Sequence, residues 1–188
     1  MRGVIPLLAL LAVACGPATD VSAPIVLVPE PSWTALERTI LGEAGRCWNL
    51  RFGTQVRVGR ADGALQMVQV AYTDFICVGH GGVAKVTPPR YIHVCPLGYT
   101  RFMTPERVQG LFDVLVHEIG HILNLGHGRN PRSVMYPGSQ EGYPFSQEDV
   151  ELFEAANPDF EPAPACLELD VDFASDPGSS PGCRCPGI

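Results

Sequence analysis

The chain has 188 residues, of which 46% are hydrophobic and 18% are charged. This composition is that of a globular protein, and the length allows one ordinary domain with little left for a second. Thirteen basic and 20 acidic residues give a formal net charge of -7, and the single lysine is Lys85. Because no basic run is present to follow a phosphate backbone, we do not expect nucleic acid as a partner.

The first 14 residues are typical of an export signal. Arg2 supplies a positive start, and residues 4–14 are almost wholly apolar but shorter than the roughly 20 residues of a membrane-spanning helix. The segment ends in Ala14-Cys15-Gly16, which resembles a bacterial lipobox. The resemblance implies lipidation of Cys15 and a lipid anchor at the outer membrane or cell surface. Residues 12–14 also fit an ordinary cleavage site, which would give a secreted protein.

Six cysteines remain if Cys15 is the lipidated one. In an oxidising compartment they predict up to three disulfides, whose pairing the sequence does not choose among the 15 possible connectivities. A second zinc site at the C-terminal pair is disfavoured, because its C-x-C spacing is one residue short of the usual C-x-x-C. The six are Cys47, Cys77, Cys95, Cys166, Cys183 and Cys185.

The order of predicted elements indicates an α+β domain. Residues 15–23 are predicted to be a tether, residues 24–160 the domain, and residues 161–188 a tail rich in Cys, Pro and Gly. Apolar and β-branched runs predict strands at 24–28, 50–58, 65–73, 82–86 and 90–95. These would form a mixed, twisted sheet of four to five strands.

Three principal helices are predicted around this sheet. The first begins at an N-cap, Ser32, and ends near Gly45. The second begins at Thr104, with a capping hydroxyl, Pro at the first helical position and an acid in the first turn. The third begins at Ser146, with Asp149 as a capping-box partner, and ends at Asn157-Pro158.

The second helix carries the residues that indicate chemistry. His117 and His121, four residues apart, lie one turn apart on one helical face, so both imidazoles can reach one ion. Glu118 follows the first of them, beside the ion without being a ligand. Zinc lowers the pKa of a water molecule to about 7, and a carboxylate can then remove a proton and pass it to a leaving amine.

The helix must break for His127 to return as the third ligand. Such a break needs a residue with positive φ, for which glycine is the default. Asn124 stands three residues after His121, and asparagine is the non-glycine residue that best tolerates the left-handed region. We therefore predict a left-handed turn at Asn124, with Gly126 adding freedom beside it.

The stretch from His117 to His127 resembles the metzincin signature H-E-x-x-H-x-x-G-x-x-H, with Asn124 in place of the usual glycine. Residues 133–137, Ser-Val-Met-Tyr-Pro, are similar to the Met-turn of this group, with Met135 as its methionine. The spacing and order look most like the matrixin branch. The resemblance implies a zincin-like fold with its zinc cleft under an edge strand, and a zinc-dependent endopeptidase with Glu118 as general base.

Further residues follow from the same resemblance. Residues 81–86 resemble the edge strand along which substrate adds, so Gly82, Val83 and Ala84 are implied to bind the peptide. Pro137 occupies the place of a tyrosine ligand found in related branches, so no tyrosine ligand is expected, and it adjoins the S1′ wall expected at 138–144. The resemblance implies one catalytic zinc and a monomer acting on peptide or protein substrates, and leaves a calcium requirement open.

Three alternatives stay open at this point. A downstream glutamate, Glu148 or Glu151, could replace His127 as the third ligand. The protein could also keep the fold and the metal as a binding or adhesion lipoprotein, although such a protein has no use for Glu118. His80, in a Gly-rich loop, could bind a metal but lacks companion acids, and His93 is expected to be a hydrogen-bonded or surface histidine.

Overall fold

The structure is a computed structural model, and it describes residues 19–60, 66–73, 81–95, 104–138 and 145–161. Five strands and three helices lie in these ranges, with four consecutive strands followed by two consecutive helices, which confirms the α+β class and the mixed sheet. In chain order they are β1 (Ile25–Pro29), α1 (Ala35–Phe52), β2 (Val56–Val58), β3 (Gln66–Tyr72), β4 (Gly82–Lys85), β5 (Arg90–Val94), α2 (Pro105–Ile122) and α3 (Gln147–Ala156).

The five strands form one sheet in the order β2-β1-β3-β5-β4. The first four pair in parallel, and β4 alone runs antiparallel to its neighbour β5. Parallel strands must be covered on both faces, and β1 accordingly has fully buried residues at Ile25, Val26 and Leu27. The antiparallel β4 lies at the edge of the sheet, next to α2.

Helix α1 differs from its prediction at both ends. Its N-cap is Thr34 rather than Ser32, because the Thr34 side chain and Glu37 form a reciprocal capping box. The helix also runs past Gly45 to Phe52, where Gly53 ends it with a φ of 75°. Gly45 is a packing residue, since a Cβ there would lie 3.0 Å from Val56 Cγ1. The strand predicted at 50–58 therefore shortens to β2.

Helices α2 and α3 begin where the sequence predicts. Thr104 is the N-cap of α2 with proline at the first helical turn, but its hydroxyl makes no capping hydrogen bond, contrary to the prediction. Ser146 and Asp149 form the predicted capping box of α3, which ends at Asn157. Among the described residues, no helix is both long and apolar enough to cross a membrane.

An aromatic cluster joins the three helices. The fully buried Trp48 of α1 donates its indole N–H to the carbonyl of Val116 in α2 at 2.9 Å. Its ring packs on Phe52, Phe145 and Phe153, with centroid distances of 5.2, 4.7 and 6.4 Å. Burying both the ring and its donor at one site fixes α1 against α2 and holds the start of α3 beneath them.

The predictions for the N-terminal segment concern mostly residues outside the described ranges. These include the export signal at 1–14, Cys15 and the first part of the tether predicted at 15–23. The described part of that segment is packed on the domain: Thr19 and Val21 are 4% and 6% exposed. The packed domain therefore includes residues before Pro24. The predicted tail is described only at its first residue, Glu161.

Two glycines of the zinc motif give a matched test of packing. A Cβ at Gly120 would collide with Met135 Sδ and Trp48 Cζ2, whereas one at Gly126 would meet nothing within 4 Å. We expect Gly120→Ala to lower the free energy of unfolding by about 1–3 kcal/mol through overpacking. Gly126→Ala should change it by less than about 0.5 kcal/mol. Denaturant unfolding of the metal-free proteins measures both, and equal effects would contradict this packing.

Candidate metal centre

Three imidazoles converge at the C-terminal end of α2. The Nε2 atom of His121 lies 3.1 Å from that of His117 and 3.2 Å from that of His127. Among the described residues, these three form the one group of three or more His, Cys, Asp or Glu side chains placed to share an ion. His117 and His121 are half-buried, and His127 is exposed. The structure thus brings together the three histidines that the sequence singled out.

Backbone carbonyls aim the two helical imidazoles. His117 Nδ1–H donates to the carbonyl of Val134 at 2.7 Å, and His121 Nδ1–H donates to that of Leu125 at 2.8 Å. A carbonyl can only accept, so these bonds place the hydrogen on Nδ1 and leave Nε2 with a free lone pair. Burial lowers the pKa of His117 to about 4 and that of His121 below its usual value, so both stay neutral at pH 7.

This donor set fits zinc. Nitrogen ligands about 2.0–2.1 Å from a tetrahedral zinc lie roughly 3.3 Å from one another, close to the Nε2 separations of 3.1 and 3.2 Å. Lone pairs of neutral imidazoles repel at such distances unless a cation lies between them. Three imidazole nitrogens with one side open are also the ligand arrangement of catalytic rather than structural zinc sites.

Glu118 lies between the metal centre and the edge strand β4. The residue is 4% exposed, and its Oε2 has no hydrogen-bond partner among the described residues. The Ala84 N–H of β4 donates to the carboxylate, which lowers its pKa, but burial is the larger effect and raises the pKa to about 7. At neutral pH this carboxyl group can both accept and release a proton.

Gly82 permits the close approach of β4 to Glu118. A Cβ at Gly82 would lie 2.9 Å from Glu118 Oε1 and 2.9 Å from Val114 Cγ1. Gly82, Val83 and Ala84 are half-buried at the edge of the sheet, beside the carboxylate. Pro137 is exposed just after the Met-turn, and most of the S1′ wall expected at 138–144 lies outside the described residues.

The turn after α2 has the left-handed residue that the sequence predicted. Asn124 has a φ of 72°. Its N–H donates to the His121 carbonyl at 2.9 Å, and the N–H of Leu125 donates to the Gly120 carbonyl at 3.0 Å. This pair of bonds is the Schellman arrangement of a helix C-terminus. The turn also places the Leu125 carbonyl within hydrogen-bonding distance of the His121 ring.

A buried carboxylate holds the Met-turn, and the sequence analysis missed this role. Asp149 is fully buried rather than solvating α3. It accepts hydrogen bonds from the Ser133 hydroxyl and from the backbone N–H groups of Val134 and Met135, the latter two at 3.2 and 3.3 Å. The fully buried Met135 packs against α2 at Gly120. In the sequence, the only sign of a structural role for Asp149 was its position in the predicted capping box of α3.

A second acid of α3 holds the chain just after His127. Glu148 accepts hydrogen bonds from the N–H groups of Arg129 and Asn130 at 2.9 and 2.8 Å. Gly128 donates to the Met135 carbonyl at 2.8 Å, and a Cβ there would collide with Ser133 Oγ and Glu148 Oε2. The residue after the third histidine is therefore glycine for steric reasons, and Glu148 is engaged away from the three imidazoles.

The remaining candidate residues lie elsewhere. His93 is half-buried on β5, where its ring stacks on Tyr91 with a centroid distance of 4.2 Å. It is not part of the imidazole cluster. His80 lies outside the described residues. The exposed Glu151 is bonded to Gln147 at 3.4 Å and also takes no part in the cluster.

Three converging imidazoles beside a buried carboxylate, under the edge strand of a mixed sheet, define a zinc metallopeptidase type of site. The family model of the matrixins matches residues 8–155 of the chain. The chain belongs to the matrixin family, whose members are zinc-dependent metalloproteases, and its fold is that of a matrixin-like metzincin catalytic domain. No curated protein matches it.

The raised pKa of Glu118 predicts a stability effect in the metal-free protein. Folding raises this pKa from 4.5 to about 7, so the folded state loses its proton less readily than the unfolded state. The resulting penalty grows as pH rises from about 4.5 to 7 and is complete above that range. We expect Glu118→Gln to raise the free energy of unfolding at pH 8 by on the order of 2 kcal/mol.

The gain should disappear when unfolding is measured near pH 4.5. Glu154→Gln, which alters an exposed carboxylate on α3, is the matched control and should show no such pH-dependent gain. A Glu118→Gln protein whose advantage is the same at both pH values would contradict the burial effect, because an uncharged contact has no pH dependence.

Proposed function

We propose that the chain is a zinc-dependent endopeptidase in which His117, His121 and His127 hold one zinc ion and Glu118 is the general base. The observation that carries the proposal is the convergence of three Nε2 atoms, two of them with a free lone pair, beside a buried carboxylate with an oxygen that has no partner among the described residues. Each feature alone also occurs in structural sites. Together they supply an open metal position and a proton acceptor next to it.

Zinc, when bound, would supply a positive charge that polarises the scissile carbonyl and acidifies a water molecule. The chain's own residues do the rest. Glu118 removes a proton from the attacking water, whose oxygen adds to the carbonyl carbon. The same carboxyl group then delivers the proton to the amide nitrogen as the C–N bond breaks. Burial of this carboxyl group raises its pKa in the metal-free protein, which favours its action as a proton acceptor.

The outer edge of β4, which pairs with no other strand among the described residues, is the proposed substrate site. An extended peptide that adds along this edge would lie beside Glu118, because Ala84 donates its N–H to that carboxylate and Gly82 lies against it. Gly82, Val83 and Ala84 would then contact the peptide backbone, with Pro137 on the other side of the cleft. Main-chain recognition of this kind suits a protease that accepts a range of sequences.

His127 is the proposed third ligand in preference to a glutamate of α3. Its Nε2 lies 3.2 Å from that of His121, whereas the Glu148 carboxylate accepts hydrogen bonds from the backbone N–H groups of residues 129 and 130. Moving Glu148 to the metal would release these two N–H groups. The geometry therefore favours the three-histidine site.

We further propose that the protein is exported and stabilised by disulfides. Cys47 and Cys95 are 1% and 4% exposed, and both are disulfide-bonded cysteines, which supports the prediction made from the even cysteine count. Which cysteines pair stays a prediction, and the other four lie outside the described residues. Disulfides of this kind form in an oxidising compartment, in agreement with an export signal at residues 1–14.

The proposed activity is tested by zinc content and proteolysis together. A soluble form of the chain that starts at Gly16 should bind one zinc per molecule and cleave a denatured protein mixture. Glu118→Ala should keep the zinc and lose at least about 100-fold in activity, because the base contributes roughly 10²–10⁴-fold. His127→Ala should lose zinc, whereas Glu148→Ala and Glu151→Ala should retain it. Metal analysis and a fluorescent casein assay measure the two properties.

Undiminished cleavage by Glu118→Ala would contradict the proposed base. One zinc in both proteins with no cleavage by either would favour a highly selective protease or a binding lipoprotein. Loss of zinc from Glu148→Ala but not from His127→Ala would favour the glutamate ligand.

The proposed lipid anchor is tested at Cys15. In a bacterial host with lipoprotein processing, we expect the wild-type chain to enter the detergent phase and to carry an acyl mass on its first residue. Cys15→Ala should lose both properties, because the modified thiol would be gone. Phase partitioning and mass spectrometry measure this, with Cys47→Ala as a control that keeps the anchor. A water-soluble wild type cleaved after Ala14 would contradict lipidation and favour the secreted form.

A further inference from the structure

Asn124 occupies a backbone position whose conformation favours glycine. Its φ of 72° lies in the left-handed region, which glycine adopts at lower energy than any residue with a Cβ. The metzincin signature that the stretch resembles has glycine at this place. An asparagine here therefore costs some backbone energy, and its amide group should make contacts that offset that cost.

The amide of Asn124 is hydrogen-bonded to both backbone polar groups of one distant residue. Its Oδ1 accepts the N–H of Thr19 at 3.0 Å, and its Nδ2 donates to the carbonyl of Thr19 at 2.8 Å. Thr19 is 105 positions earlier in the chain and only 4% exposed. Without the amide, two buried backbone groups would lose their partner, which is more costly than losing an exposed hydrogen bond.

The same amide also reaches the end of α3. The second hydrogen of Asn124 Nδ2 is donated to Asn157 Oδ1 at 3.0 Å, and Asn157 Nδ2 donates to the Leu123 carbonyl at 3.0 Å. The oxygen and both hydrogens of the Asn124 amide are thus hydrogen-bonded within the protein. One side chain joins the N-terminal segment, the end of α2 and the end of α3.

The next residues of the N-terminal segment are held as well. Asp20 donates its N–H to Gln66 Oε1 at 3.0 Å, and its carbonyl accepts from Gln66 Nε2 at 2.6 Å. Val21 is 6% exposed in the core. Two consecutive residues are therefore each bonded at both backbone groups by an amide side chain. We call the Thr19 contact with Asn124 the N-terminal clamp.

The N-terminal clamp is one residue away from the carbonyl that orients His121 in the metal centre. Asn124 donates its N–H to the carbonyl of His121, and the following carbonyl, that of Leu125, accepts the Nδ1–H of the His121 ring at 2.8 Å. A rotation of the turn at Asn124 would therefore move the acceptor that orients this imidazole. The same turn leads to His127, three residues on.

We propose that Asn124 is a positioning residue that couples docking of Thr19 to the affinity of the metal centre. The docked segment holds the turn, the turn holds the Leu125 carbonyl, and the carbonyl aims His121. By linkage, zinc binding must in turn stabilise the docked segment by the same factor. The coupling rests on the zinc site proposed above, whereas the clamp itself can be measured in metal-free protein.

The first test is a double-mutant cycle on the full, metal-free chain. Asn124→Gly removes the amide but keeps a residue suited to the positive φ. Thr19→Pro removes the N–H that Asn124 Oδ1 accepts. We expect each change to destabilise the protein and the double variant to be little less stable than either single one. Additive effects of the two changes would overturn the clamp.

Thr19→Ala is the matched control for that cycle. It keeps the backbone groups and removes only the Oγ1 hydroxyl, which is buried without a partner among the described residues. We expect Thr19→Ala to be neutral and to show no coupling to Asn124→Gly. Coupling as large as that of Thr19→Pro would place the interaction in the side chain and overturn the backbone clamp.

The second test measures zinc affinity by chelator competition, on variants whose circular dichroism shows them folded. Asn124→Gly and Thr19→Pro should each raise the zinc dissociation constant about tenfold, within the usual range for coupled sites. Asn49→Ala is the control, because Asn49 holds both backbone groups of Val56 in the same way, at 2.7 Å each, but on α1 and β2. It should lower stability and leave zinc affinity within about twofold of wild type. Equal zinc affinity in Asn124→Gly and wild type would overturn the coupling and leave the proposed function intact.

The third test is the reciprocal effect on hydrogen exchange. Adding zinc to the wild-type chain should slow exchange of the Thr19 amide about tenfold, and this slowing should be absent in Asn124→Gly. Exchange of Thr19 that does not respond to bound zinc would overturn the coupling. A wild-type chain that binds no zinc would overturn both the coupling and the proposed function, and the metal-free cycle would then decide on the clamp alone.

Discussion

The metal centre depends on two hydrogen bonds that the imidazoles donate to backbone carbonyls. A helix places His117 and His121 one turn apart, but the spacing leaves the rotation of each ring free. The carbonyls of Val134 and Leu125 fix that rotation and leave Nε2 unprotonated. Both acceptors belong to the irregular chain after α2. The turns that follow the helix are therefore part of the ligand geometry.

These turns need support of their own, since irregular backbone has no ladder of hydrogen bonds to hold it. The Met-turn receives it from Asp149, a fully buried carboxylate at the start of α3 that accepts from the Ser133 hydroxyl and from two backbone N–H groups. The turn at Asn124 receives it from Thr19 and Asn157. A chain segment from each end of the domain thus stabilises the geometry of residues 124–135.

Glu118 differs from Asp149 and Asn124, because its burial lowers the stability of the fold instead of raising it. Burial between α2 and β4 raises its pKa to about 7, and one oxygen has no partner among the described residues. Gly82 permits this proximity, because any side chain there would displace the carboxylate. A polar partner for this oxygen would stabilise the fold but occupy the position proposed for the attacking water.

Much of this could be predicted from the sequence. The spacing of the histidines, the start of α2 at Thr104-Pro105 and the αL-tolerant Asn124 are local features, because each depends on backbone conformation within one or two turns. The family resemblance supplied the third histidine and the Met-turn. The end of α1 was predicted wrongly at Gly45, since a glycine that ends a helix and one that packs against Val56 look identical in a sequence.

The sequence by itself determined the residue types of the site, their order and the helix that carries most of them. Only the tertiary structure decided which carbonyl aims each imidazole, that Asp149 is buried rather than solvated, and that Thr19 is bonded to Asn124. The physical reason is the range of the contacts. Hydrogen bonds between groups 105 positions apart leave no periodicity in the sequence and exist only once the chain has packed.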